Sequence, residues 1–387
     1  MKRFFETLKN IWTIEDLRVR IINTLGLLLI YRLGSYVVLP GVNSAALEVA
    51  NAGNTGGIAG LLDLFAGGAF SRASIFALGI MPYISASIVV QLLGIAIPYF
   101  QKLQKEGESG RRRINQITRM LTIIIVGFQA PGYIASQVPE FAAAGLMVRP
   151  DTLFWWISTV IILITGTMFV MWLGERITEK GLGNGISLII MIGIIANLPF
   201  AFIAEFASRV KGGGLVILLV ELVLLLLVII ATILLVQGTR RVPVQFAKRV
   251  VGNKQYGGVR QYIPLKVNAA GVMPIIFAQA IMFVPITLAS FANSDSLTGL
   301  TAALSDYTGF WYNFIFALMI IAFTYFYTAV TVNPNQMAED MKKNGGFVPG
   351  VKPGKRTAEF LDTILSRITL PGSIFLAIVA ILPAFAS

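Results

Sequence analysis

The chain has 387 residues, of which 56% are hydrophobic and only 13% charged, and carries a formal net charge of +12. That balance is far too apolar for a soluble globular protein and points to a polytopic membrane protein. Cysteine and histidine are both absent, which excludes disulfides and thiol catalysis and removes the commonest general base and metal ligand.

Met1 to Arg20 is charged and mildly amphipathic, with Phe4, Phe5, Leu8, Ile11 and Trp12 as candidates for one apolar face at the membrane interface. It lacks a cleavable signal pattern, so the first span is expected to be an uncleaved anchor. Crossing a hydrocarbon core of ~30 Å takes about 20 apolar residues in a helix. Nine stretches qualify, near 21–39, 74–98, 119–137, 152–173, 184–205, 214–237, 269–291, 310–331 and 368–387. The charges well inside them are Arg32 and Glu221, and nothing in the sequence supplies either with a partner. The fold class is therefore an all-α polytopic membrane protein. Most of the 31 Lys and Arg residues fall in the N-terminal tail and the even-numbered connections, 98–118, 174–183, 238–268 and 332–367. Such residues collect on the cytoplasmic side, which predicts a cytoplasmic N-terminus.

Between the first two spans, Leu39 to Ser71 is rich in Gly and Asn and holds the short apolar run Ile58 to Phe65. Eight residues cannot span, so this run is either a re-entrant piece or an interfacial helix, with glycines to hinge it.

Residues 79–86 read Gly-Ile-Met-Pro-Tyr-Ile-Ser-Ala and residues 271–278 read Gly-Val-Met-Pro-Ile-Ile-Phe-Ala. Each opens a long apolar segment at the corresponding place in its half, so the chain consists of two related halves. Paired, Pro-interrupted hydrophobic segments point to the conducting path, because backbone can be broken at membrane depth only where it lines a cavity or packs in protein. Ile80 and Ile84, four apart, share a helix face; Ile186 and Ile190 repeat that spacing, and the internal repeat aligns Ile84 with Ile276. Aliphatic side chains of this kind can form a ring that excludes water and ions by dewetting yet yields to something large. Periodicity alone does not separate them from lipid-facing isoleucines.

Connection 238–268 carries Arg240, Arg241, Lys248, Arg249, Lys254, Arg260 and Lys266 and no acidic residue. It also alternates like a hairpin: Val242, Val244 and Phe246 on one arm, Val259, Ile263, Leu265 and Val267 on the other, with Gly252-Asn253 and Gly257-Gly258 as turn formers. Connection 332–367 forces turns through Asn344 to Arg356 and presents Lys352, Lys355 and Arg356 at its tip. For both loops the alternatives are a docking surface or positive-inside topology alone.

Two glycine motifs fail on context. Gly350 to Thr357 has its glycines one residue too close for a phosphate loop and no apolar strand before it, and Gly181-Leu-Gly-Asn-Gly185 follows a membrane span and reads as a tight turn. A secondary transporter of small solutes, the alternative function, would place ionisable groups at mid-membrane, where this chain offers almost none. An intramembrane enzyme ranks last, without His, Cys or paired carboxylates in its spans.

Several motifs carry a more specific resemblance. Ala77 to Ile88, Lys105-Glu-Gly-Glu-Ser-Gly-Arg-Arg112, Thr165-Gly-Thr-Met168, Trp172-Leu-Gly-Glu175, Gly183-Asn-Gly-Ile-Ser187, Pro264-Leu-Lys-Val-Asn268 and Phe347-Val-Pro-Gly350 resemble, in order and at matching spans, the SecY family of protein-conducting channels. The resemblance implies two inverted five-helix halves, here 1–205 and 206–387, forming a clamshell around an hourglass pore with a lateral gate. It places Ile80, Ile84, Ile186, Ile190 and Ile276 at pore-ring positions. It makes about 57–68, with Ile58, Leu61, Leu62, Leu64 and Phe65, the plug of the outer funnel. Ser85, Gln91, Thr118 and Asn268 fall near the lateral gate, where hydrogen bonds between helices would hold it shut.

The same resemblance assigns Arg240, Arg241, Lys248, Arg249, Lys254, Lys352, Lys355 and Arg356 to docking of a SecA motor or a translating ribosome, whose RNA attracts cations by counterion release. It implies SecE and SecG as subunits, secretory and membrane-protein precursors as cargo, the bacterial plasma membrane as location, and neither cofactor nor enzymatic chemistry. Two departures stand out. Lys352 sits where the family usually has arginine, which keeps charge but loses planar bidentate donation. The sequence stops at Ser387 after nine spans, where the family has a tenth helix, so this chain is expected to lack that helix.

Overall fold

A computed structural model describes residues 6, 12–43, 63, 66–143, 153–211, 214–246, 249–251, 254–256, 260–279, 281–282 and 309–386. The chain divides into two compact units, Met1–Ser208 and Arg209–Ser387.

The first unit is helical. α1, Glu15–Gly34, starts earlier than the apolar pattern suggests, with Glu15 and Asp16 in its first turn, where the helix dipole favours acids. It also ends earlier than the expected span, because Ser35 and Tyr36 turn and the residues after them pair with 73–75. Leu39 N donates to Ala73 O at 2.8 Å and Ile75 N to Val37 O at 2.9 Å, and Val38 bridges Ser74. The same pairing keeps 74–80 out of the second helix. α2, Met81–Ala96, begins only at Met81, with Pro82 in its first turn, where a residue without a donor is well suited. Pro82 therefore starts the helix and does not interrupt it, which corrects the expectation of a broken span at this point. The helical stretch beginning at 273 repeats the arrangement with Pro274. In both copies the glycine before it, Gly79 at φ +54° and Gly271 at φ +65°, adopts the left-handed conformation that glycine alone takes without strain.

α2 breaks at Ile97, whose extended backbone (φ −111°, ψ 122°) is the conformation favoured before a proline. α3, Pro98–Lys105, leaves it at an angle of 102°. α4, Glu108–Ala143, makes much of the expected 98–118 connection helical. α5, Leu153–Lys180, is embedded along its length, with Leu163, Val170, Leu173 and Ile177 fully buried. α6, Gly185–Lys211, is capped by Asn184, whose Oδ1 accepts from the amides of Ile186 and Ser187. The core of the unit joins Leu39, Ala73, Val126, Ala130, Tyr133, Trp155 and Leu163.

The second unit opens with α7, Leu215–Gln237, apolar on every side and largely exposed, as a lipid-facing helix is. Strands β1 (Thr239–Phe246), β2 (Arg249–Val251), β3 (Lys254–Tyr256) and β4 (Arg260–Lys266) follow. β1 pairs antiparallel with β4 in the register Val242↔Ile263, and β2 pairs with β3 around 252–253, so the hairpin read from period-two alternation is present. α8, Phe310–Thr331, leads to α9, Pro334–Lys343, β5, Gly346–Phe347, and α10, Lys355–Ala386. The expected 332–367 loop is thus mostly structured. α9 is capped by Asn333, and α10 begins thirteen residues before the apolar pattern does (355 against 368) because Leu361 and Leu365 already bury one of its faces.

Among the described residues six helices are long and apolar enough to cross a membrane, and α2 with α3 would make a seventh if taken as one bent span. α1 is the clearest shortfall from the nine expected, since Arg18, Arg20 and Arg32 interrupt its apolar run. The expected span 269–291 is described only at 269–279 and 281–282.

Candidate functional site

The five isoleucines fall on three helices. Ile84 N donates to Ile80 O at 3.1 Å, so the two stack one turn apart as their spacing requires, and both are buried, at 7% and 4% exposure. Ile186 and Ile190 are half-buried on α6, with Ile186 packed against Gly174 of α5, where a Cβ would crowd it at 3.1 Å. Ile276 belongs to the second unit, half-buried in the helical stretch that starts at Met273. Ile58, Leu61, Leu62, Leu64 and Phe65 lie outside the described residues, as does Lys248.

The segment that leads from them into α2 is tightly seated. Asp63 Oδ1 accepts from Ser71 N at 2.9 Å, and Tyr133 donates its hydroxyl to Phe70 O at 2.9 Å. Phe76 fills the space left by Gly34 and stacks between Tyr31 and Phe169, at centroid distances of 6.1 and 5.9 Å. A Cβ on Gly166 would collide with Ile75 O. Arg32 is not isolated in its helix, because its Nη1 donates to Gly67 O at 2.7 Å. Glu221 pairs with Arg209 at 2.7 Å. Sequence reasoning missed both partners; Gly67 is far away in the chain, and Arg209 sits across a turn between two helices.

The hydroxyls and amides expected to join helices bond differently. Gln91 Nε2 donates to Ser87 Oγ at 3.2 Å, Thr118 Oγ1 to Ile114 O at 2.9 Å and Ser85 Oγ to Met81 O at 3.2 Å, each within its own helix. None of these bonds bridges helices, because a hydroxyl four residues after a carbonyl has a partner at hand. Asn268 Oδ1 is buried with no partner among the described residues. The inter-helix polar contact at this level is a pair that the sequence reading did not single out. Arg119 of α4 donates from Nε and Nη2 to the two carboxylate oxygens of Glu175 on α5, at 3.2 and 2.6 Å. Glu175 closes the Trp172-Leu-Gly-Glu175 motif, whereas Arg119 lies in none of the motifs read from the sequence.

The two basic connections prove to be one structure. β5 adds to the free edge of β1, with Gln245 opposite Phe347, to give the sheet order β4-β1-β5. Val242, Val244 and Leu265 on its inner face pack against Met341, Val348, Leu361 and Leu365. Arg240 and Arg241 are exposed on β1, and Lys352, Lys355 and Arg356 are exposed beside it, while Arg249 and Lys254 lie on the β2–β3 hairpin. Lys355 and Arg356 occupy the first turn of α10, where the helix dipole disfavours cations. Among the described residues none of these five exposed side chains has an ion pair.

A helical membrane protein with a helix-starting Gly-x-Met-Pro motif in each of two units and a basic sheet between membrane helices defines the class. Residues 74–387 match the family model described as SecY. Curated relatives named "Protein translocase subunit SecY" include one from Halalkalibacterium halodurans, 43% identical over 389 residues, covering 98% of this chain and 89% of that protein. Another, from Aquifex aeolicus, is 42% identical over 386 residues and covers 99% and 90%. The relative from Mycobacterium tuberculosis is 41% identical over 385 residues, covering 95% and 86%. The chain belongs to the SecY family. Its fold is that of a structure described as a protein conducting channel, with a TM-score of 0.62 at 16% identity over 95% of this chain and 86% of that one. A second, concerned with the plug domain of the SecY protein, gives 0.61 at 17% identity over 95% and 86%. A channel from a canine ribosome–channel complex gives 0.55 at 15% identity over 95% and 90%.

Proposed function

We propose that this chain is the central channel subunit of the general secretory translocon, conducting unfolded polypeptide across the membrane and releasing membrane segments sideways into lipid. The observation that carries this reading is the repeated helix start. Each unit uses a left-handed glycine and a Met-Pro pair to begin a helix at an aliphatic position, Ile80 with Ile84 in one and Ile276 in the other. An uncharged aliphatic constriction passes a polymer without binding it and sheds water when the polymer leaves. The channel carries out no chemistry.

In this reading Ile80, Ile84, Ile186, Ile190 and Ile276 form the ring around the translocating chain, and 57–68 is the plug. Residues near Ser85, Gln91, Thr118 and Asn268 border the lateral gate, with 1–205 and 206–387 as the two halves. The sheet β4-β1-β5 and the start of α10 present cations to a ribosome or the SecA motor on the cytoplasmic side of the bacterial inner membrane. Their exposure and the unfavourable placement of Lys355 and Arg356 on their own helix support a role met outside this chain. SecE and SecG complete the assembly, and the N-terminus lies in the cytoplasm.

The chain's lack of native cysteine makes the test direct. A single cysteine at Ile84, in the translocon assembled with SecE and SecG, is expected to crosslink by disulfide to a cysteine in a stalled precursor, and only when the signal sequence is functional. A precursor that reaches the membrane but crosslinks neither there nor at Ile276 would remove the pore assignment.

A further inference from the structure

The hydroxyls of Thr24 and Thr178 converge on the turn between α5 and α6, a place with no role assigned above. A threonine in a helix commonly donates to the carbonyl four residues back, as Thr118, Thr122 and Thr324 do. Thr24 and Thr178 make that bond too, to Arg20 O at 2.8 Å and to Gly174 O at 2.9 Å. Each also accepts a backbone amide from the turn or the helix that follows it. Leu182 N donates to Thr24 Oγ1 at 3.0 Å, and Gly185 N donates to Thr178 Oγ1 at 2.8 Å. One hydroxyl comes from α1 and the other from α5, so the link between Lys180 and Gly185 is held from two helices at once.

Packing leaves this turn little slack. Gly181 N donates to Ile177 O at 2.8 Å, and a Cβ on Gly181 would lie 2.6 Å from that oxygen and collide with Thr24 Oγ1. A Cβ on the buried Gly185 would lie 2.7 Å from Ile177 Cβ and collide with Gly174 O. The first amides of a helix have no partner within it. Here Thr178 takes that of Gly185, and Asn184 Oδ1 takes those of Ile186 and Ser187. The start of α6 is therefore fixed by side chains at three successive residues. A slip of one residue would turn the helix by about 100° and move it about 1.5 Å. That would carry Ile186 and Ile190 to another face.

We propose, on the reading of Ile186 and Ile190 as ring residues, that Thr178 and Thr24 are positioning residues. They fix the axial register of α6, and so the height at which the two isoleucines meet the translocating polypeptide. Thr178 acts on the first amide of α6 and Thr24 on the turn before it. Valine keeps the shape of threonine without the hydroxyl, and serine keeps the hydroxyl without the methyl group, so the two substitutions separate packing from hydrogen bonding. Thr178 is exposed, and its replacement leaves the core intact. Thr24, at 6% exposure, gives a second and independent site.

The experiment uses the translocon assembled with SecE and SecG, carrying Ile190→Cys, and a stalled precursor whose own cysteine is moved one residue at a time. With the threonines in place, disulfide yield should peak at one precursor position. In Thr178→Val the yields on either side, relative to the peak, should rise roughly two- to twelvefold, the population change that follows from losing one hydrogen bond. Thr24→Val should broaden the profile in the same direction, and Thr178→Ser should stay within about twofold of the parent. Ile84→Cys, on α2, should keep its profile in every variant. An unchanged profile from position 190 in either valine variant removes that threonine from the role. Equal broadening in Thr178→Ser, or matching broadening from position 84, overturns the positioning altogether. A parent that crosslinks from 84 but at no precursor position from 190 overturns the ring reading of α6, and the positioning role with it.

Discussion

The arginines near the end of α1 and those on β1 carry the same charge and are treated in opposite ways. Arg32 and Arg72 donate to backbone carbonyls of their own unit and lie against a tyrosine ring, half-buried. Arg240 and Arg241 on β1 and the cations at the start of α10 beside it stand exposed, with no ion pair among the described residues. A cation satisfied inside the chain is part of the fold, and its loss should be felt as stability. A cation left open on a rigid platform is available to a partner, and its loss should be felt as binding.

Substitutions can break this contrast. The largest effect is expected beneath the platform, where Val244 is 1% exposed. Val244→Asp buries an unpaired carboxylate at a cost on the order of 4 kcal/mol, and limited proteolysis should show β1, β4 and β5 opening while α5 stays resistant. Next comes Arg32→Met, which removes a charged donor from Gly67 O and should lower stability by about 1.5–3 kcal/mol, read as a fall in melting temperature of the purified complex. Arg119→Lys keeps the charge opposite Glu175 but loses the two-pronged geometry, with an expected cost of about 0.5–1 kcal/mol in the same assay. Smallest in stability, within about 0.5 kcal/mol, is Arg240→Ala combined with Lys355→Ala, which should instead weaken ribosome or motor binding and flatten its salt dependence. If this last pair lowered the melting temperature as much as Arg32→Met, the distinction between the two kinds of cation would fail.

Local signals carried through from sequence to structure. The hairpin was readable because β1 and β4 alternate with period two, whereas the helix starts at Met81 and at 273 were not, since each proline was read as interrupting a span that began several residues earlier. What could not be read depended on partners distant in the chain. β5 is a two-residue strand, Gly346–Phe347, with no pattern of its own, and exists only because β1 leaves an edge free about a hundred residues earlier. α10 hid behind its charges, since the sequence from Lys355 to Arg367 is polar on one face and buries Leu361 and Leu365 on the other. Thr118 and Gln91 were expected to join helices, but residue type alone does not distinguish a hydroxyl that bonds across from one that bonds back to its own helix. The Arg32 contact was hidden for a related reason, because hydrogen bonds to backbone carbonyls leave no trace in residue identity.

The bounds of α2 also have a mechanical meaning. Sixteen residues of helix measure about 24 Å, less than a hydrocarbon core of about 30 Å, and the rod ends at a left-handed glycine pair of bonds on one side and an extended pre-proline residue on the other. The helical ladder is broken at both places and continuous between them. α2 is therefore a short rod of its own, and Ile84 is carried on it between two breaks, while α4 and α5 run on unbroken for 36 and 28 residues.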